Sequence, residues 1–175
     1  MRFDFRKELV ALLPRLRAFA LSLTRSQVEA DDLVQAACER ALRARTSYRD
    51  GTKFDAWVMR ILHNYWIDTY RQRRRETLVD TADPAHDRAG SDGRAIVEDR
   101  SELSTTWRLI AAMPEDQRSV LTLVCADGLS YRDAAEVLDI PVGTIMSRLA
   151  RARKTLAQNL QEPGETPISA GAQSL

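Results

Sequence analysis

Cysteine and histidine are scarce in this 175-residue chain, with two of each. Cys38 and Cys125 lie far apart, each inside a helical pattern. They read as buried thiols of a cytoplasmic protein, not as a disulfide framework. His63 and His86 form no Cys/His set at ligand spacing, so no zinc site is expected. No apolar run approaches the roughly 18 residues that a membrane span needs. The opening MRFDFRKELV lacks the apolar centre of a signal peptide. There is also no phosphate-binding glycine loop, no internal repeat, and no nucleophile with a base at recognisable spacing. No cofactor is expected, and an enzyme is the least expected class.

What is present is helical. The apolar fraction of 44% suits a soluble globular chain of one or two small domains. A net charge of +1 hides an asymmetry. Residues 1–76 hold 16 Lys and Arg against 10 Asp and Glu, a net of +6. Residues 77–100 hold 3 against 6, and residues 101–160 hold 7 against 7. The basic field of the first part favours a polyanionic partner.

The stretch SYRDAAEVLDIPVGTIMSRLARARK, residues 130–154, has the layout of two helices joined by a tight turn. Ser130 and Asp133 make a capping box, and Ala134, Ala135 and Leu138 give a small apolar face. Pro141 fits only near the start of the next helix. In that helix Ile145, Leu149, Ala152 and Leu156 recur at core spacing. Thr144, Ser147, Arg148 and Arg151 share another face, with Arg153 and Lys154 beside it. Such an exposed stripe contacts base edges and phosphates in a major groove. A solvated basic face on an ordinary helical hairpin is the plainer alternative.

Earlier in the chain, residues 8–24 read as a helix that Pro14 either kinks or delays. Residues 29–45 read as a second, with Asp31, Asp32, Gln35 and Glu39 on its polar side. Read alone, those acids are a solvated face with a first-turn preference for negative charge. A loop follows at 46–53, then a long helical pattern from Phe54 to Arg75. Its Trp57, Tyr65, Trp66 and Tyr70, followed by Arg71, Arg73, Arg74 and Arg75, suit single-stranded nucleic acid. The competing reading makes Trp57 and Tyr65 core and the arginines a favourable helix end. Residues 77–100 read as an acidic, mobile linker able to reach roughly 80 Å at about 3.3 Å per residue. Residues 101–112 and a segment from Pro114 read as helices, the second with Leu121, Val124 and Cys125 on its apolar side. Residues 161–175 read as a disordered tail.

From about residue 9 to residue 160 the chain resembles bacterial sigma factors of the extracytoplasmic-function class. The resemblance rests on EADDLVQAACERAL and FDAWVMRILHNYWIDTYRQRRR, then on GLSYRDAAEVL followed by IPVGTIMSRLARAR. Its composition and domain pattern are similar to the alphaproteobacterial general-stress group. The resemblance implies an all-α fold with a region-two-like domain at 1–76 and a region-four-like domain at 101–160. It implies a transcription initiation factor that joins core RNA polymerase and promoter DNA. Asp31, Asp32, Leu33, Gln35 and Glu39 would then dock on polymerase. Ser47, Tyr48 and Arg49 would take a flipped base of the minus-ten element. Trp57, Asn64, Asp68, Arg71 and Arg74 would engage that element as it melts. Thr144, Ser147, Arg148, Arg151 and Lys154 would read the minus-thirty-five element as duplex. Regulation would come from an anti-sigma protein masking both domains of a free monomer. Met146 stands where a charged or polar residue is common, and HNYWID is unusually aromatic. Two other classes compete: a stand-alone helix-turn-helix regulator, which lacks its ligand or dimerisation domain here, and a sigma-like decoy for an anti-sigma protein, which would lack the basic stripe.

Overall fold

The computed structural model describes residues 3–49, 53–80 and 108–161, except the side chains of residues 71, 73–80 and 159–161. The described residues are helices and turns without a strand, as the patterning predicts.

Helix α1, Phe5–Thr24, begins three residues earlier than its apolar stripe suggests. Asp4 explains the early start, because its carboxylate accepts from the backbone N–H groups of Arg6 and Lys7 at 3.1 and 3.2 Å. Pro14 lies inside the helix and removes the N–H that would bond the Val10 carbonyl. Both residues face solvent, where water can take the freed oxygen. The helix ends on Arg25 in the left-handed region, φ 59°. Helix α2, Gln27–Arg43, starts at Ser26, whose hydroxyl accepts from the Glu29 N–H. Its buried face is Ala30, Leu33, Ala37 and Ala41. Three alanines let α2 approach α1 and α3 closely. A 3-10 turn at Arg45–Ser47 leads to helix α3, Phe54–Asp80. Helix α3 runs past Arg75 and takes residues 77–80 from the expected linker. The rest of that linker, the proposed start of the next helix with Leu103 and Trp107, and the tail from 162 lie outside the described residues. So do residues 50–52 of the loop.

Residues 108–112 are helical and lead to helix α4, Glu115–Leu121. A π-helical turn, Thr122–Ala126, continues it. The wider turn changes the rotation per residue. Thr122 and Leu123 are buried, whereas Cys125 is exposed, so this thiol is not the core residue that α-helical spacing predicts. Cys38 is half-buried, and burial pushes its thiol pKa up. Helix α5, Tyr131–Leu138, carries the expected capping box. It stops at Asp139 in the left-handed region, φ 53°, a conformation that aspartate tolerates better than most residues. Helix α6, Val142–Gln161, follows Pro141.

The two halves pack on each other, α1 against α4 and α3 against α5, within one hydrophobic cluster. Polar groups pin this seam. Arg15 of α1 reaches Asp55 at the start of α3 (3.1 Å), and also the Asp127 carboxylate (3.2 Å) and carbonyl (2.9 Å). Arg25 donates to the Met113 carbonyl at 3.0 Å. Arg118 is 2% exposed and donates to the Ser22 carbonyl across the seam, and to Met113 at 2.6 Å. Burial, with Arg25 nearby, lowers its pKa to about 10.

Candidate nucleic-acid interface

The helix-turn-helix is α5 and α6. Ile145, Leu149 and Ala152 are buried against the rest of the second half, which leaves a polar stripe opposite. Ser147, Arg151 and Lys154 are exposed, and Thr144 is half-buried. The Ser147 hydroxyl donates to the Thr144 carbonyl at 3.0 Å. Arg148 is less free than its position suggests: its side chain is 29% exposed, with Nε 3.4 Å from the Asp116 carboxylate of α4. Met146 is 54% exposed beside this stripe. Arg153 turns back, its guanidinium 3.7 Å from Cys125 Sγ.

The first half carries a second surface. Ser47 closes the 3-10 turn and donates to the Ala44 carbonyl at 2.7 Å. Tyr48 is half-buried among rings, 5.3 Å from Phe54 and 5.4 Å from Trp57 between centroids. Arg49 is exposed. At about 100° per residue, Trp57, Asn64, Asp68 and the Arg71 position fall within roughly 60° of one another on α3. Val58, Met59 and Leu62 are buried on the opposite side. Asn64 and Asp68 are exposed, and Trp57 is half-buried, so it serves both core and surface. The Arg74 position lies about 100° from Trp57, off this stripe. The side chains of Arg71 and Arg74 lie outside the described residues.

On α2, Asp31, Asp32, Gln35 and Glu39 are exposed on the side away from its alanines. Asp31 pairs with Arg17 at 2.9 Å, and Gln35 donates to Glu39 at 3.3 Å. Leu33 is 5% exposed, in the core. It can hold this helix in place but cannot itself offer a contact surface, which corrects its assignment as a docking residue.

The seam brings these surfaces together in a way the sequence did not suggest. Lys53, at the end of the loop, pairs with Asp133 of α5. Burial raises the Asp133 pKa, but hydrogen bonds from Lys53 and Ser130 outweigh it and hold the carboxyl below its usual range. Trp66 donates its indole N–H to Glu115 at 3.3 Å. Arg15 and Arg118 went unnoticed in the sequence; the one available signal was an arginine inside each apolar stripe.

Two family models match the chain: sigma-70 region 2 over residues 9–76, and sigma-70 region 4 over residues 105–156. The extracytoplasmic-function sigma factor EcfG of Rhodopseudomonas palustris is 39% identical over 92% of this chain and 87% of its own length. The sigma-E factor of Escherichia coli K12 is 32% identical over 74% of this chain and 73% of its own. The sigma factor RpoE of Bartonella quintana, solved with the anti-sigma factor NepR, superposes with a TM-score of 0.75 at 34% identity. That match covers 92% of this chain and 99% of RpoE. With both regions present in order over most of its length, the chain belongs to the extracytoplasmic-function class of the sigma-70 family and acts in promoter-specific initiation of transcription.

Proposed function

We propose that the chain joins core RNA polymerase and supplies two DNA-binding surfaces, acting by binding alone, in the cytoplasm. The exposed face of α2, with Asp31, Asp32, Gln35 and Glu39, docks on polymerase. The loop with Ser47, Tyr48 and Arg49, and the α3 stripe of Trp57, Asn64, Asp68 and Arg71, hold the melted minus-ten strand; Arg74 adds charge nearby. The α6 stripe of Thr144, Ser147, Arg148, Arg151 and Lys154 reads the minus-thirty-five duplex. Residues 1–76 and 101–160 are the two working units. The observation that carries this reading is the α6 stripe: hydroxyl and guanidinium groups lie opposite a buried Ile145–Leu149–Ala152 face, on a helix entered from a capped partner.

The two elements are centred about 25 base pairs apart, or roughly 85 Å at about 3.4 Å per pair. The seam holds Lys53 on α5, the helix next to the reading helix. The halves must therefore part for both elements to be engaged, and the packed arrangement is the resting form. An anti-sigma protein, such as the one bound to the 34% identical RpoE, is the partner expected to hold it.

The test is transcription from a library of upstream fragments by core polymerase with and without the purified chain. Starts that share a two-part motif support the reading. Duplex binding without polymerase binding would favour a stand-alone regulator. Polymerase docking is checked separately with Asp32→Ala, which is expected to weaken co-elution with core polymerase while the melting temperature stays unchanged. Unaltered co-elution removes Asp32 from the docking face.

A further inference from the structure

Five rings from three separate stretches of the chain converge beside the loop: Phe3 and Phe5, Tyr48, and Phe54 with Trp57. Phe3 stacks on Tyr48 with centroids 5.2 Å apart and planes inclined by 26°. It meets Phe54 edge-on at 5.4 Å and Phe5 edge-on at 6.4 Å. Yet Phe3 is 43% exposed. An apolar residue just before a helix cap often packs on the fourth residue of that helix. Here the fourth residue is Glu8, and Phe3 turns to the loop instead. The Asp4 cap fixes the chain next to it. Phe3 is thus an immobilised ring with surface facing water. Exposed Arg6 and Lys7 lie on one side in sequence, and Arg45 and Arg49 flank the tyrosine turn. Rings held rigid beside cations are what unpaired bases stack on, since little side-chain entropy remains to be lost.

We propose that Phe3, seated on Tyr48, is a stacking shelf for an unpaired base adjoining the one the loop takes. The proposal rests on the minus-ten reading above. The probe is a fluorescein-labelled single-stranded 12-mer carrying the minus-ten strand found in the library assay. It is titrated against the full chain in complex with core polymerase. Phe3→Ala and Phe3→Leu are both expected to weaken binding about five- to thirtyfold, within the range for loss of one stacked base. Phe3→Trp is expected to keep it, and duplex minus-thirty-five binding is expected to stay unchanged in all three. Leucine preserves the apolar packing without an aromatic face. Wild-type affinity in Phe3→Leu would therefore reduce Phe3 to a packing residue and overturn the shelf, even if Phe3→Ala proved unstable. If the wild-type complex binds the duplex but not the strand, the minus-ten reading fails and the shelf with it. If the wild type binds the strand and the Phe3 variants match it, the shelf alone fails.

Discussion

The two surfaces proposed to face DNA are built in opposite ways. The one on α6 belongs to a single regular helix: one side is buried and the other carries the stripe, so packing and recognition use different residues. The one in the first half runs along α3 and ends in an aromatic cluster assembled from the chain before α1, the first turn of α1, the end of a 3-10 turn and the start of α3. There the same rings pack and face the solvent. Substitutions on α6 should therefore separate affinity from stability, whereas substitutions in the aromatic cluster should mix them. The seam between the halves adds a third kind of residue, which joins the halves and, in the proposed function, sets whether both surfaces are available.

The largest expected effect lies in that seam. Arg118→Ala leaves the Ser22 and Met113 carbonyls without their buried donor and opens a cavity. It should cost about 3 kcal/mol or more, in line with removal of a buried charged hydrogen-bonding group. Urea unfolding followed by tryptophan fluorescence and by circular dichroism should show more than a shifted midpoint. The two probes should cease to coincide, because Arg118 joins α1 of the first half to α4 of the second. Coincident, unshifted transitions would mean that the halves are not coupled through this residue.

Next in size is Arg148. Replacing it by alanine should cost about 1–3 kcal/mol of discrimination, concentrated at one position of the minus-thirty-five element. Selection of promoter variants by the mutant holoenzyme measures it. The Asp116 pairing sharpens the comparison with the aromatic surface. Asp116→Ala frees Arg148 and should leave promoter preference intact, while Arg148→Ala should leave the melting temperature almost unchanged. A large loss of stability in Arg148→Ala would mean that even the regular helix cannot separate the two roles.

The regular helix is also what the sequence disclosed most fully. The box of Ser130 and Asp133, the break before Val142, and the division between Ile145–Leu149–Ala152 and Ser147–Arg148–Arg151 all follow from local chemistry and a period of 3.6, and all are found. What escaped has a physical reason in each case. The start of α1 depends on a single cap, Asp4, ahead of the apolar stripe. Cys125 left the core because a π-helical turn broke the periodicity used to place it. Leu33 sits in a motif whose polar neighbours face outward, but its own position belongs to the buried side of α2. The pairing of Arg15 with Asp127 spans more than a hundred residues, and no local pattern encodes such a contact. The aromatic cluster was half legible: Tyr48 and Trp57 were noticed, but Phe3 and Phe5 join them only once α1 is laid beside α3.

A smaller effect concerns the pH response of the first half. His63 on α3 lies against Phe19 of α1, with ring centroids 6.4 Å apart and planes inclined by 28°. Burial lowers its pKa, and the Asp139 charge opposes this only in part. A depressed basic group takes its proton in the unfolded state first. Stability is therefore retained at neutral pH and falls as the solution is acidified through the unfolded histidine value, near 6.5. The slope from one group cannot exceed about 1.4 kcal/mol per pH unit. Urea midpoints at pH 7.5 and 5.5 should differ more in the wild type than in His63→Asn. Equal differences would assign the acid sensitivity of this range to another group, and not to Asp133, whose depressed pKa removes stability only as the pH falls below the ordinary carboxylate value near 3.9.

The smallest effect distinguishes positioning from reading within α6 itself. Lys154 is exposed at the far end of the stripe, about ten residues and 15 Å beyond Thr144 at about 1.5 Å per residue. Its ammonium is a compact point charge without the fork that selects a guanine edge, so a phosphate is its natural partner. Lys154→Ala should therefore weaken duplex binding by a similar factor on every promoter variant. It should also lower the slope of log affinity against log salt by about one. Arg148→Ala should do the reverse, changing preference at one base pair with a smaller change in slope. The two titrations, run over the same salt series and promoter variants, place each cation on backbone or base. If Lys154→Ala altered preference at a single position, base reading would extend to the end of the stripe rather than stop at Arg151.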